Sequence, residues 1–241
     1  MTDLSNQFLA AVEVEKARLS SRRSLLGKSA VVGGGAALAL AAVPGFRASA
    51  QDSTPAASDG LEADPYFEGD GIAILNYALT LEHLEATFYR EALATFAPEE
   101  FDDTGTVYGL LTQIGDHETA HVEALSATIT DLGGEPVEEA TYDFGYTDAA
   151  SFLVTAAAIE NVGVAAYAGA APSVAVLAPS LVPTALGIHS VEARHASFIG
   201  ALVNDETTQP FPNAVDAPLT PAEVLDAAGP FFVTDDSTPE A

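Results

Sequence analysis

The sequence predicts an all-α domain: four long helices packed as a bundle, with a long crossover between the second and the third. Three observations predict it. Apolar residues recur at helical spacing in four long segments. No segment shows the sustained alternation of a half-buried strand. The chain also repeats itself: a Glu with a Tyr seven residues on, then Glu-x-x-His, then both patterns again.

The first helix is expected over about 70–96, where Ile74, Leu75, Ala78, Leu81, Leu84 and Phe88 form an apolar stripe and Pro98 closes the segment. The second covers about 105–132 and stops at Gly133-Gly134. A connection of roughly 17 residues, with Pro136 and Gly145, leads to the third. That helix is expected over about 148–171, with Asp148 as its N-cap and Pro172 as its end. The fourth covers about 181–203 and carries Pro183 in its first turn, where a proline is tolerated.

The repeat carries the chemistry. Glu82 is followed by Tyr89 in "EHLEATFY", and Glu160 by Tyr167 in "ENVGVAAY". The second and fourth helices carry "ETAH" (Glu118, His121) and "EARH" (Glu192, His195). At 3.6 residues per turn, positions three apart share a helix face, so each pair aims a carboxylate and an imidazole the same way. Five histidines and 19 glutamates give about 0.4 such pairs by chance, and here both halves place one at the matching position. In a bundle, four carboxylates and two imidazoles converge in the core. Oxygen and nitrogen donors suit iron or manganese better than thiolate-seeking metals. Four negative charges balance two divalent ions, and without metal they would repel one another and take up protons.

Composition excludes other classes. The chain has 35 acidic and 8 basic residues, and six of the basic ones precede residue 50. From Gln51 onward only Arg90 and Arg194 face 32 acids, a net charge near −30. Such a surface repels nucleic acid and anionic membranes. It reads either as an adaptation to high salt, where screening suppresses self-repulsion, or as a merely acidic surface. Cys is absent, so no disulfide or thiolate metal site exists. No Met follows Met1 and there is no Trp, which suits a protein handling oxidants and equally fits a genome's compositional bias.

The first 50 residues read as an address. Arg22 and Arg23 precede an apolar run at 30–43 that is too short for a permanent span, and "ASA" at 48–50 offers a cleavage site. The segment resembles a twin-arginine signal, which implies export of a folded protein to the periplasm, cell surface or medium, with no stable membrane anchor after cleavage. Residues 51–69 read as a linker, 70–204 as the bundle and 205–241 as a C-terminal extension.

The stretches "ILNYALTLEHLEATFYREAL", "HETAHVEAL", "TYDFGYTDAASFL", "IENVGVAAYAGAAP" and "FPNAVDAPLTPAEVL" carry a resemblance over about 70–230. The chain resembles the ferritin-like superfamily, and more narrowly the exported ferritin-like proteins that include plant desiccation-related proteins. The resemblance implies a ferritin-like bundle holding two iron or manganese ions. Glu118 and Glu192 would bridge them, Glu82 and Glu160 would be terminal ligands, and His121 and His195 would cap one metal each. Glu85, one turn beyond Glu82, would replace it or join it. Tyr89 and Tyr167 are candidate catalytic residues that bond ligands or carry an electron, or else they are core. His83 and His117 lie about 100° around the helix from the neighbouring Glu, at the surface or behind the ligands. His189, one turn before Glu192, lines a metal entry path or sits at the surface. Two functions are expected to compete: an oxidoreductase of peroxidase, catalase or ferroxidase type acting on small oxidants, and a non-enzymatic desiccation or envelope stress protein with a structural or empty metal site. A homodimer is compatible with either.

Overall fold

The computed structural model describes residues 62–203 and 208–233. The signal expected over 1–50 and the first part of the linker lie outside the described residues. The all-α expectation holds. Five α-helices are described: α1 (Gly71–Thr95), α2 (Thr106–Asp131), α3 (Ala149–Leu177), α4 (Val182–Val203) and α5 (Pro221–Ala228).

Local chemistry sets the helix starts. Asp70 caps α1 by accepting from the Ile72 N–H at 2.8 Å, and Asp148 caps α3 by accepting from the Ser151 N–H at 2.7 Å. Each side chain satisfies an amide that has no partner within its helix. Gly105 precedes α2 with φ +67°, a left-handed conformation that costs a glycine little.

Helices α1 and α2 pair, α3 and α4 pair, and α1 packs on α3. A Cβ on Gly115 would touch Tyr89, and one on Gly134 would touch Ile72, so α1 and α2 run antiparallel. Hydrogen bonds from Tyr89 to Glu160 and from Tyr167 to Glu82 make α1 and α3 antiparallel as well. It follows that α2 and α3 run parallel. The connection between them must therefore travel the length of the bundle, which is why it is long.

This crossover is fastened at several points. Val137 N–H donates to Asn76 Oδ1 at 2.9 Å, His83 Nε2 meets the Val137 carbonyl at 3.2 Å, and Glu139 pairs with Arg90 at 2.7 Å. Its aromatic end plugs the core. Phe144 sits edge-on to Phe88 at 5.1 Å, and Phe88 stacks on Phe152 of α3 at 4.7 Å.

One expectation is corrected. The third helix does not stop at Pro172 but continues to Leu177. Pro172 lies on the exposed side of α3, where water can take the carbonyl bond that its missing N–H gives up. The C-terminal extension carries a fifth helix. Thr220 and Glu223 form a capping box for α5, and Val224 of α5 is fully buried. Beyond α5, Val233 N–H donates to the Thr141 carbonyl and Asp143 N–H to the Phe231 carbonyl, both at 2.9 Å, which ties the chain end to the crossover.

Helix α3 is apolar nearly throughout, and Glu160 is its only charged residue. Among the described residues it is the one helix long and apolar enough to cross a membrane, and most of its apolar stretch is buried within the bundle.

Candidate metal centre

Each of the four central helices sends one glutamate to the middle of the bundle. Glu82 (α1), Glu118 (α2), Glu160 (α3) and Glu192 (α4) are each 0% exposed. The two Glu-x-x-His turns add His121 and His195 beside them.

The six side chains fall into two overlapping groups. One comprises Glu82, Glu118, His121 and Glu192, and the other Glu118, Glu160, Glu192 and His195. Within each group one ligand atom per residue lies within 4.8 Å of all the others. Glu118 and Glu192 belong to both groups; Glu82 and Glu160 belong to one each.

The donor atoms stand as close together as donors that share an ion, and part of the cluster is hydrogen-bonded through His121. His121 Nδ1 has three carboxylate oxygens around it: Glu82 Oε2 and Glu118 Oε2 at 3.1 Å, and Glu192 Oε1 at 3.2 Å. One N–H cannot point at all three. His195 Nδ1 lies 2.8 Å from Glu118 Oε1 and 3.5 Å from Glu160 Oε2, yet without the alignment of a hydrogen bond. Glu118 Oε1, Glu160 Oε2, both Glu192 oxygens and His195 Nδ1 are all buried with no hydrogen-bond partner. Unpaired buried polar atoms are costly. Two donors each about 2.1 Å from a shared ion, at right angles, stand about 3 Å apart. The cluster therefore fits metal, and its all-oxygen-and-nitrogen donor set fits iron or manganese.

Protonation shows the same tension. Burial, then neighbouring carboxylates, push Glu85 and Glu192 well above the usual carboxylate range. Burial also raises Glu82 and Glu160 against the pull of His121 and His195 respectively. Burial would raise Glu118 too, but the two imidazoles beside it outweigh that and draw it down to about 2. Burial works to lower His195, and the carboxylates of Glu118 and Glu160 overcome it and push the ring up to about 10. His121 is raised in the same way, chiefly by Glu82. With no ion, protons hold the cluster together; divalent metal would replace them.

Two tyrosines brace Glu160 and Glu82, and they do so crosswise. Tyr89 of α1 donates to Glu160 Oε1 on α3 at 2.5 Å. Tyr167 of α3 donates to Glu82 Oε1 on α1. The spacing within each helix links each Tyr to the Glu seven residues before it; the structure bonds each to the other half's Glu. These bonds leave Glu82 Oε2 and Glu160 Oε2 facing the imidazoles.

The remaining residues separate by contact. Glu85 is nearly as buried as Glu82 but contributes to neither ligand group. It lies against Gly163, where a Cβ would stand 2.6 Å from Glu85 Oε1, so Glu82 alone supplies the α1 oxygen to the first group. His117 backs His195: its Nδ1 meets His195 Nε2 at 2.9 Å and the rings stack at 5.2 Å. A proton on His195 Nε2, donated to His117, leaves Nδ1 free for the carboxylate side, the usual way an outer partner sets a ligand's tautomer. Burial, then the charge on His195, lowers His117 and favours its neutral, accepting form. In sequence, only its place one residue before Glu118 marked His117 out. His83 instead holds the crossover, and His189 lines a cavity between α3 and α4.

No curated protein matches the chain. The model of the ferritin-like domain family matches residues 70–205, the span of α1 to α4 that supplies every residue of both ligand groups. With more than half of its length so matched, this chain belongs to the ferritin-like domain family.

Proposed function

We propose that this protein is an exported di-metal carboxylate protein that holds two iron or manganese ions and uses them on a small oxidant, dioxygen or peroxide, in protection against stress. One observation carries the reading: two four-residue groups share Glu118 and Glu192, as expected of carboxylates placed between two ions. Glu82 with His121 and Glu160 with His195 then complete one site each. Iron or manganese held by these residues would supply one-electron redox chemistry toward the oxidant.

The chain's own contribution is positioning and exclusion. Tyr89 and Tyr167 hold the terminal carboxylates by their outer oxygens. His117 orients His195. The complete burial of the four glutamates keeps bulk water from the ligands and makes each electrostatic interaction there stronger than in solvent. The absence of Cys, Trp and any Met beyond Met1 leaves few easily oxidised side chains nearby.

The same burial would also suit a structural metal in a non-enzymatic stress protein of the desiccation-related kind. Peroxide turnover separates the readings. Protein loaded with iron or manganese should consume peroxide, and His121→Ala and His195→Ala should abolish this along with bound metal. A loaded protein inert to peroxide and to dioxygen leaves the structural reading. Export is part of the proposal: changing Arg22 and Arg23 to Lys should retain the precursor inside the cell, and normal secretion without the twin-arginine machinery would overturn it.

A further inference from the structure

Among the described residues, Glu85 is the one buried carboxylate that neither ligand group uses. It lines a cavity of about 130 Å3 between α1, α3 and α5. The lining of this cavity runs from solvent to the core. Ala158 of α3 and Ala227 of α5 are exposed, whereas Glu85 and Gly163 are buried.

Gly163 is where the cavity meets the metal cluster. A Cβ there would stand 2.6 Å from Glu85 Oε1 and 3.5 Å from Glu192 Oε2. One point on the cavity wall therefore reaches both carboxylates, and Glu192 belongs to both ligand groups. Because residue 163 has no side chain, α3 leaves the wall open there, and the Glu85 carboxyl stands across the opening.

Size and charge set what passes. An apolar protein cavity of about 150 Å3 takes up one benzene, so this one admits a molecule of a few heavy atoms. Apart from Glu85 the lining side chains are apolar, and they give an ion nothing to replace its hydration shell. An anion is also repelled by the overall charge of −27 and by the carboxylates at the inner end.

We propose that this cavity is the port through which small uncharged molecules reach the metal cluster, entering past Ala158 and Ala227 and arriving beside Glu192 at Gly163. The inference rests on the di-metal reading and narrows its substrate class. The oxidants admitted are uncharged, hydrogen peroxide or dioxygen, and an anion such as superoxide is turned away.

The test uses the full chain loaded with Fe(II) without air, with nitric oxide as an uncharged probe of the metal. Stopped-flow absorbance gives its binding rate, and elemental analysis gives the metal content of each variant. Ala158→Phe obstructs the mouth, and Ala228→Leu fills the cavity from α5. Each should slow nitric oxide binding by about tenfold, a rise of about 1.4 kcal/mol in the barrier to entry, with metal content and final amplitude unchanged. Azide binding to the ferric protein should show no such dependence, because an anion does not use the port. Ala228 is buried and Ala158 exposed, so if Ala228→Leu does not fold or hold metal, Ala158→Phe carries the test. Full metal content with an unchanged nitric oxide rate in the variants would overturn the port and leave the di-metal reading standing. Azide slowed as much as nitric oxide would overturn the selection of uncharged molecules. Unaltered protein that takes up no iron would refute the di-metal reading, and the port would fall with it.

Discussion

Removing the Tyr89 hydroxyl should weaken one half of the metal cluster more than the other. Tyr89 and Glu160 are each 0% exposed, and the phenol donates to Glu160 Oε1 at 2.5 Å. No water can take its place without opening the core. Tyr89→Phe keeps the ring and its edge-on contacts with Phe88 and Phe152, so the change isolates the hydrogen bond. A bond to a charged group is worth about 1.5–3 kcal/mol, and loss of a partner behind a metal ligand costs about 10–100-fold in affinity. The two figures agree, because 1.4 kcal/mol is about tenfold. The loss should fall on the group holding Glu160 and His195. Tyr167→Phe should do the same to the group holding Glu82 and His121. Calorimetric titration with Mn(II) resolves the two binding steps, and the comparison of Tyr89→Phe with Glu160→Gln, and of Tyr167→Phe with Glu82→Gln, assigns them. The crosswise bracing predicts that each Tyr variant weakens the same step as the Glu variant on the opposite helix. If each instead weakened the step of the Glu on its own helix, or left both unchanged, the bracing would be wrong.

Three further outcomes follow from the same structure. A Cβ at Gly169 would stand 1.8 Å from the Leu219 carbonyl oxygen, so Gly169→Ala should push the 219–233 segment off α3 at a cost on the order of 1–3 kcal/mol, seen as a lower melting temperature and faster proteolysis after residue 208. The metal-free protein should lose stability as pH rises from about 6.5 toward 10: His195 is raised from 6.5 to about 10 and His121 moves the same way, so their contribution is complete below the unfolded value and disappears as the folded rings lose their protons; metal-loaded protein, whose ligands need no protons, should melt with a flatter profile over that range. Salt should raise the melting temperature from 0.01 M to 1 M KCl, because the screening length falls from about 30 Å to about 3 Å and most acids are on the surface; a flat profile would remove the high-salt reading of the acidity and leave the metal cluster untouched.

Much of this architecture is legible in the sequence because helical periodicity and the i, i+3 rule are local. The four long helices fall within a residue or two of their expected ends except at Pro172, where an exposed proline interrupts the hydrogen-bond ladder without ending the helix. Helix α5 was within reach: "TPAE" at 220–223 has the Thr, the Pro and the Glu of a capped helix start. What local pattern cannot supply is which repeat meets which. The Tyr89–Glu160 and Tyr167–Glu82 pairs depend on α1 and α3 running antiparallel, a consequence of the crossover and not of either helix. The same holds for His117 on His195. Glu85 is the instructive ambiguity: one turn from Glu82 and nearly as deeply placed, it falls outside both ligand groups, and Gly163 on α3 makes the room it occupies.

The central claim is that one cluster holds two metal ions between Glu118 and Glu192. Elemental analysis of natively exported protein, with anomalous diffraction to locate the ions, tests it most directly. The account predicts two iron or manganese ions per chain, each touching both shared glutamates, one completed by Glu82 and His121 and the other by Glu160 and His195. A protein purified without chelators that carries no metal, or carries it away from these six residues, would contradict it.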